Sequence, residues 1–355
     1  MRRMNLEEAL RQITPPDELA GEAAKARWDS IAKPLGSLGL LEEAVIRVAA
    51  LTGSARVELD KRCVTVFCAD NGVVAEGVTQ TGSEVTAVVA ENFMRGETSV
   101  CAMARAARCD VIPVDIGVAR DLSGPGLVVH KLGYGTGNIA RGPAMTREQA
   151  LDAITFGISL VGKLKREGCR IIATGEMGIG NTTTSSAVTA ALLGLPAEEV
   201  TGRGAGLTSE GLAHKIKTVE RALVVNHPDP DDGVDVLAKV GGFDLAGLAG
   251  VFLGGAVHRV PVLIDGFISA AAALAAARIC PAAKKAMLAS HLSDEPAAAL
   301  ALGALGLRPL ITAGMCLGEG TGAVAALPLL DMALAVYREM STFREIDIDA
   351  YQPLS

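Results

Sequence analysis

The 355-residue sequence is poor in aromatic side chains and has no excess of positive charge. Only 3% of its residues are Phe, Trp or Tyr, and the formal net charge at pH 7 is -7. Proteins that bind nucleic acids use basic residues against the phosphates and aromatic rings on which bases stack. The composition therefore predicts no nucleic-acid partner.

Cysteine and histidine are present, but not in the spacings that hold metals. None of the seven cysteines forms a C-x-x-C pair, and the five histidines show no H-x-x-x-H or Cys/His ligand pattern. We therefore expect no zinc site. No other metal and no cofactor is predicted. Several cysteines lie within apolar strand or helix patterns, as small buried side chains do in a reducing compartment, which favours a cytoplasmic protein.

Hydrophobic runs long enough to cross a bilayer are missing. The longest, Leu245–Val257 and Gly266–Ala277, fall short of the roughly 20 residues that a span requires. Glu7 and Glu8 come too early for a signal peptide. We expect no membrane span.

Two common catalytic motifs are also absent. No P-loop with a Gly-Lys-Ser/Thr ending occurs, which weakens the hypothesis of a phosphotransferase that uses a nucleoside triphosphate and magnesium. No G-x-S-x-G elbow occurs, so the nucleophile of an α/β-hydrolase is lacking.

What the chain does contain is a regular alternation of apolar strands and helical patterns. The four predicted strands are Cys63–Ala69, Val111–Ile116, Cys169–Ala173 and Val260–Ile264. Such alternation predicts an α/β fold with a parallel sheet, whose strands all end at one edge where ligands bind. We therefore expect the acids near those strand ends to converge: Asp70, Asp115, Glu176 and Asp265.

The stretch Cys169–Thr184, CRIIATGEMGIGNTTT, is the centre of this pattern. Its glycines allow tight turns, and Asn181–Thr184 offer N-cap oxygens to the next helix, whose N-terminus is a natural seat for a phosphate. Glu176 is out of place in an anion site unless it contacts sugar hydroxyls or a developing positive charge. The alternative is that the glycines serve only the steric needs of a strand-to-helix turn.

Two further glycine-rich stretches precede helices. Thr201–Leu207, TGRGAGL, is followed by a helix that carries Lys215, and Leu317–Gly322, LGEGTG, places Glu319 between glycines. Burial against a ligand would raise the pKa of Glu319 towards a value suited to proton transfer. The alternative is an exposed loop glutamate that interacts with the helix dipole.

Lys33 lies in SIAKPLGSLG (Ser30–Gly39), which interrupts two helical patterns near the N-terminus. Pro34 and the nearby glycines explain the interruption. Lys33 is either a solvated surface lysine or a side chain that reaches a neighbouring active site.

Taken together, eight segments resemble the nicotinate-nucleotide–dimethylbenzimidazole phosphoribosyltransferase family, which assembles the nucleotide loop of cobalamin. The resemblance keeps the same order over nearly the whole chain. The segments are KPLGSLG (33–39), CADNGVVAEGV (68–78), GEMGIGNTT (175–183), GRGAGL (202–207), KVGGFDLAGLAG (239–250), DGFISAAAAL (265–274), SHLSDE (290–295) and LGEGTGA (317–323).

The resemblance implies transfer of the 5-phosphoribosyl group of nicotinate mononucleotide to a nitrogen of 5,6-dimethylbenzimidazole, giving α-ribazole 5′-phosphate and nicotinate. It implies that Glu319 is the general base and that Glu176 lines the ribose site. The remaining substrate contacts that it implies are Gly178, Ile179, Gly180, Asn181, Gly204, Lys215, Asp265, Ser290, Leu317, Thr81, Val89 and Lys33.

The resemblance also implies a Rossmann-like sheet with flanking helices and a small helical domain built from both chain ends. The implied boundaries are residues 1–58 and 323–355 for the small domain and its C-terminal helices, and 59–322 for the large domain. A homodimer is implied as well, with Lys33 near an active site.

Some positions depart from the family pattern. Asn71 stands where a histidine is frequent, and Thr81 and Val89 replace a serine and a glutamine near the acceptor. Without the glutamine, the pocket for the acceptor base is expected to be more apolar than in the family. The natural acceptor is then a benzimidazole, a purine or a phenol, and the sequence leaves the choice open. A second hypothesis for the whole chain is a binding subunit or paralogue that holds a base or nucleotide without turnover.

Overall fold

The computed structural model describes residues 5–351 of the chain. Within that range the strands are β1 (Arg62–Ala69), β2 (Asp110–Gly117), β3 (Val128–Val129), β4 (Ile171–Met177), β5 (Val262–Ile264) and β6 (Met287–Ala289). The helices are α1 (Leu6–Leu10), α2 (Glu18–Ser30), α3 (Leu40–Thr52), α4 (Glu84–Arg95), α5 (Ser99–Ala106), α6 (Arg147–Arg166), α7 (Asn181–Leu193), α8 (Ala197–Val200), α9 (Ser209–Asn226), α10 (Gly233–Val240), α11 (Phe243–His258), α12 (Phe267–Ile279), α13 (Ala297–Leu305) and α14 (Thr321–Glu339). Short 3-10 helices cover Gly72–Glu76, Pro281–Ala286 and Arg344–Ile346.

The six strands form one parallel sheet in the order β3-β2-β1-β4-β5-β6. The predicted α/β fold with a Rossmann-like sheet is therefore confirmed. The order reverses between β1 and β4, because β2 and β3 lie on one side of β1 and β4 to β6 on the other. Such a reversal opens a crevice beyond the carboxyl ends of the strands.

The predicted strands exist, but the bounds of one matter for function. β4 does not end at Ala173 as predicted; it continues to Met177 because Gly175 and Glu176 still pair with Val66 and Phe67 of β1. Glu176 therefore lies on the strand rather than in the loop that follows. The sequence prediction also missed β3 and β6, which are two and three residues long and too short to show a periodicity.

Side chains of β1 alternate between two apolar clusters on the two faces of the sheet. Phe67 belongs to the cluster that contains residues of α6 and α11, whereas Val64 and Val66 belong to the one that contains residues of α3, α5 and α14. A strand covered on both faces reads as a continuous apolar run, which is why β1 was visible in the sequence.

The two chain ends contact each other. Ile31 forms an antiparallel bridge with Thr342, and the rings of Trp28 and Tyr337 lie 5.0 Å apart. Arg27 Nε donates to the Tyr337 carbonyl oxygen at 2.9 Å. A separate small domain with the predicted boundaries stays a prediction, and its residues 1–4 and 352–355 lie outside the described range.

By length and composition, α14 is the one helix of residues 5–351 that meets the criteria for a membrane span. However, 56% of its most apolar 18-residue stretch is buried inside the fold. Leu330 and Leu334 belong to the same apolar cluster as Val64 and Val66 of β1. A long core helix passes the same test, so α14 is weak support for a span.

Helices α6 and α11 approach so closely that only glycine fits at their crossing. A Cβ on Gly250 would lie 2.8 Å from the carbonyl carbon of Ile154, and one on Gly157 would lie 2.8 Å from the nitrogen of Val251. Real Cβ atoms do not approach backbone atoms this closely, so a side chain here would force the helices apart.

Gly250→Ala should therefore lower the free energy of unfolding by about 1–3 kcal/mol, measured by urea denaturation, because overpacking displaces a buried helix pair. Gly303→Ala in α13 is the matched control, since its Cβ would meet no atom within 4 Å. That change should stabilise the protein by about 0.4–1 kcal/mol through reduced freedom of the unfolded chain. Equal stabilities of the two variants would contradict the packing argument.

Candidate active site

A cavity of about 220 Å³ lies beyond the carboxyl ends of β4, β5 and β6. The loop after β1 and the loops before α9 and α14 complete its walls. Eleven of the residues predicted for the site line it: Thr81, Glu176, Gly178, Ile179, Gly180, Asn181, Gly204, Lys215, Asp265, Leu317 and Glu319. The opening at the edge of a parallel sheet is where ligands bind in open α/β folds.

The loop from Gly178 to Gly180 connects Glu176 to α7. Contrary to the sequence prediction, no side chain caps this helix: its N-cap is Gly180, which has a φ of 93°, and Asn181 to Thr184 already belong to the helix. The Asn181 side chain turns away from the helix start and donates to the Glu176 carboxylate. The uncapped helix start keeps the positive end of its dipole available for an anion in the cavity.

Asp265, just after β5, holds the loop that carries Glu319 in place. Its carboxylate accepts hydrogen bonds from the backbone nitrogens of Gly320 at 3.2 Å and Ala323 at 2.8 Å. Glu319 itself has a φ of 61°, an uncommon value for a residue with a side chain. The loop also packs directly on β4, because a Cβ on Gly175 would collide with the Glu319 carbonyl group.

The Glu319 carboxylate is half-buried and lies against the start of α5. Its Oε2 accepts from the Val100 backbone nitrogen at 3.1 Å. Burial raises the pKa of Glu319, and the backbone hydrogen bonds from Val100 and Ser99 oppose that rise. The sequence left open that Glu319 is an exposed loop residue that interacts with a helix dipole. Glu319 does interact with the start of a helix, but that helix is α5, and the residue lines the cavity.

Glu176 is almost fully buried and lies close to the same loop. A Cβ on Gly318 would lie 2.6 Å from Glu176 Oε1. Burial raises the pKa of Glu176 to about 8, and the charges of Asp244, Asp265 and Glu319 add to the rise. The two glutamates therefore share one cavity, and the charge of Glu319 adds to the cost of ionising Glu176.

Lys215 places a cation at another side of the cavity. Although only 1% of the residue is exposed, its Nζ donates to Thr182 Oγ1 at 2.8 Å and to the Gly202 carbonyl oxygen at 3.1 Å. Burial lowers the pKa of Lys215 to about 8, and the nearby Glu295 opposes that fall. The ammonium group therefore remains largely protonated at pH 7 and faces the Gly204 loop.

The expected convergence of four strand-end acids is only half correct. Glu176 and Asp265 line the cavity, but Asp70 and Asp115 do not. Asp70 accepts from the Ala119 backbone nitrogen at 2.7 Å, and Asp115 pairs with Lys131 at 2.9 Å. Asp70 follows β1 and Asp115 lies near the end of β2, both on the other side of the switch point, where they hold the loop after β2.

Three predicted residues lie outside the cavity wall. Ser290 Oγ donates to the Ile264 carbonyl oxygen at 2.5 Å and so fixes the end of β6. Val89 lies on α4 and packs at the edge of an apolar cluster. Lys33 forms a buried ion pair with Glu42 at 2.6 Å.

The sequence prediction also missed residues that do line the cavity. They are Val78, Thr79, Gln80, Met177, Thr182, Arg203, Ala205, Leu207, Gly266, Phe267, Ile268, Ser269, His291, Ser293, Glu295, Cys316 and Gly318. Three of them, His291, Ser293 and Glu295, lie in the SHLSDE segment, whose resemblance to the family could have identified them. Burial, expected for several of the cysteines, is found at Cys63, Cys68, Cys101, Cys109 and Cys169, whereas Cys280 is half-buried and Cys316 is exposed.

Comparison with known proteins gives a consistent result. A family model described as a phosphoribosyltransferase matches residues 13–348. A relative from Ruminiclostridium cellulolyticum, named nicotinate-nucleotide–dimethylbenzimidazole phosphoribosyltransferase, is 48% identical over 99% of this chain and 100% of its own. One of the same name from Chloroflexus aggregans is 50% identical over 97% and 98%. The crystal structure of CobT from Thermus thermophilus matches with a TM-score of 0.89 at 44% identity, covering 94% of this chain and 100% of that one.

Proposed function

Because the chain belongs to the nicotinate-nucleotide–dimethylbenzimidazole phosphoribosyltransferase family, we propose that this cavity carries the phosphoribosyl transfer. The enzyme moves the 5-phosphoribosyl group of nicotinate mononucleotide to a benzimidazole nitrogen in cobalamin biosynthesis. The observation that supports this use of the cavity most directly is that Glu176, Glu319 and Lys215 all line it.

The phosphate of the donor binds where Lys215 faces the glycine loops. The lysine supplies a positive charge, and the uncapped start of α7 supplies the positive end of a helix dipole. Glycine at positions 178, 180 and 204 lets the ligand approach the backbone. These groups position the ribose and take no part in bond breaking.

The ribose lies beside Glu176. The bond from the ribose carbon to the nicotinate ring breaks heterolytically, and the pyridinium leaves as neutral-ring nicotinate without an acid. The ribose carbon gains positive charge as the bond lengthens, and an ionised Glu176 stabilises that charge. Attack from the face opposite the leaving ring converts the β to the α configuration.

Glu319 acts on the acceptor. As one azole nitrogen bonds to the ribose carbon, the N–H of the other becomes acidic, and Glu319 accepts that proton as general base. Burial raises the pKa of Glu319, which brings its basicity closer to neutrality. The apolar residues Leu317 and Met177, which line the same cavity, give the acceptor ring a surface to lie against.

Glu319→Gln should reduce kcat by about 10²–10⁴, because the amide cannot accept the proton but keeps the size of the side chain. The measurement is steady-state release of nicotinate at pH 7 to 8. Unchanged thermal unfolding would show that the loop remains folded.

Glu339→Gln is the matched control for that variant. Glu339 ends the same helix that Glu319 precedes and is exposed to solvent, so its change should leave the rate within about twofold. A folded Glu319→Gln enzyme with the activity of this control would remove Glu319 from the role of base.

The natural acceptor is open among benzimidazoles, purines and phenols, and we propose an apolar benzimidazole. Met177, Cys316 and Leu317 give part of the cavity wall an apolar character, to which Thr81 adds one hydroxyl, and we infer that the acceptor ring lies there. With nicotinate mononucleotide fixed, kcat/KM should be highest for 5,6-dimethylbenzimidazole and lower by about tenfold or more for adenine, whose polar edge would lose hydrogen bonds. A preference for adenine or a phenol would contradict this choice.

The same assay decides between turnover and a binding role. A paralogue that only holds a base or nucleotide would bind the donor but release no nicotinate with any acceptor. We expect the purified chain to release nicotinate without another protein.

We also propose that the chain forms a homodimer in the cytoplasm. The KPLGSLG segment is held rigidly, since Glu42 accepts both from Lys33 and from the Leu38 backbone nitrogen at 2.9 Å, as a segment presented to a partner would be. Sedimentation velocity should give about twice the 36.4 kDa chain mass. A single peak at the monomer mass would contradict the homodimer. Recovery of the protein with membranes on cell fractionation would contradict the cytoplasmic location.

A further inference from the structure

Behind the cavity, one amide group joins two buried carboxylates. Asn181 Nδ2 donates to Glu176 Oε2 and also to Asp244 Oδ2, the latter at 3.2 Å. The side-chain amide of asparagine has two N–H donors, so it can serve both acids at once. Asp244, in the first turn of α11, is therefore linked by hydrogen bonding to the cavity wall through Asn181, which also holds Glu176.

Asp244 is completely buried and does not line the cavity. Its Oδ1 accepts from the Leu245 backbone nitrogen at 2.9 Å. A Cβ on Gly178 would lie 3.0 Å from Asp244 Oδ2, so the carboxylate lies directly beneath the loop that starts α7. Asp244 therefore makes no direct contact with a ligand in the cavity and acts on it through the neighbouring residues and through its charge.

The charged groups that face this pair are acids. Glu176 faces Asp265 and Glu319, Asp244 faces Asp70, and the buried thiol of Cys68 lies near both. Within residues 5–351, neither Glu176 nor Asp244 forms an ion pair with a lysine, arginine or histidine. Two adjacent negative charges without a cation are costly in a buried site, and a retained proton removes that cost.

We propose that Asp244 is a positioning residue that holds Glu176 through Asn181 and makes the pair retain one proton until the cationic donor binds. The positively charged pyridinium of nicotinate mononucleotide then supplies the missing cation, and Glu176 ionises. This inference rests on the proposed function for the identity of the donor. Its first part, the retained proton, concerns the free protein and is independent of turnover.

The pKa values of the pair agree with this assignment. Burial is the largest cause of the rise in both, to about 8 for Glu176 and to about 6 for Asp244. The pair therefore holds one proton at pH 7, mainly on Glu176, and behaves as one titrating unit. Binding of a cation lowers the pKa of Glu176, so the proton leaves through the cavity that Glu176 lines.

The first experiment is infrared difference spectroscopy of the free protein between pH 6 and pH 9. The wild type should show the band of a protonated buried carboxyl at pH 7, lost as the pH rises through about 8. Glu176→Gln should lack that transition. Asp244→Asn should shift it to lower pH, because the neighbouring negative charge is gone.

The second experiment measures protons released when nicotinate mononucleotide binds, by calorimetry at pH 7 in two buffers of different ionisation enthalpy. The wild type should release about one proton, whereas Asp244→Asn should release fewer, because the loss of the neighbouring negative charge leaves more of Glu176 ionised before the donor binds. Glu176→Gln gives the protons that come from the ligand's phosphate, which is subtracted.

Asp115→Asn is the matched control. Asp115 is equally buried, but its carboxylate pairs with Lys131 outside the cavity. Its infrared transition and its proton release should equal those of the wild type. Asp244→Ser, which is smaller and uncharged, repeats the test should Asp244→Asn fold poorly.

The outcomes separate the inference from the proposed function. An infrared transition unmoved in both Asp244 variants overturns the role of Asp244, whatever the activity. Donor binding without proton release overturns the coupling to the pyridinium and leaves the transferase function intact. A wild type that binds no nicotinate mononucleotide would contradict the proposed function and the coupling, while the infrared result still decides whether the pair keeps its proton.

Discussion

The site depends on a contact between two pieces of backbone that only glycine permits. The loop carrying Glu319 rests on the last residues of β4, where a Cβ on Gly175 would meet the Glu319 carbonyl and one on Gly320 would lie 3.0 Å from the Thr174 carbonyl oxygen. This contact, reinforced by the hydrogen bonds of Asp265, sets the separation of the two glutamates. A side chain at either glycine would widen the cavity where the ribose and the acceptor must meet.

The acids of the sheet edge differ in their roles because they differ in their partners. Asp265 and Asp70 accept backbone N–H groups and so hold loops in place. Glu176 has an amide donor but no cation, and Glu319 accepts backbone hydrogen bonds while remaining half-exposed. Burial is the largest cause of the raised pKa at both glutamates. Glu176, which is almost fully buried, is suited to meet a positive charge, whereas the half-exposed Glu319 stays open to a proton from the acceptor.

Local sequence signals predicted the elements but not their ends. The apolar run of β1 and the glycines after β4 were visible because strand burial and positive φ values leave a compositional trace. The continuation of β4 through Glu176 was not, since its hydrogen bonds come from β1, a hundred residues away. The same holds for the start of α7, where the Asn181 side chain serves Glu176 and Asp244 instead of capping its own helix.

The sequence by itself determined the α/β class, the glycine loops, the two glutamates and, through ordered motifs, the family, because each is a property of short segments and their order. Only the tertiary structure decided which acids share the cavity: it brought Glu176, Glu319 and Asp265 together, kept Asp70 and Asp115 apart from them, and placed Asp244 behind Asn181. The physical reason is that strand order and helix packing set distances between residues far apart in the chain, and charge interactions depend on those distances.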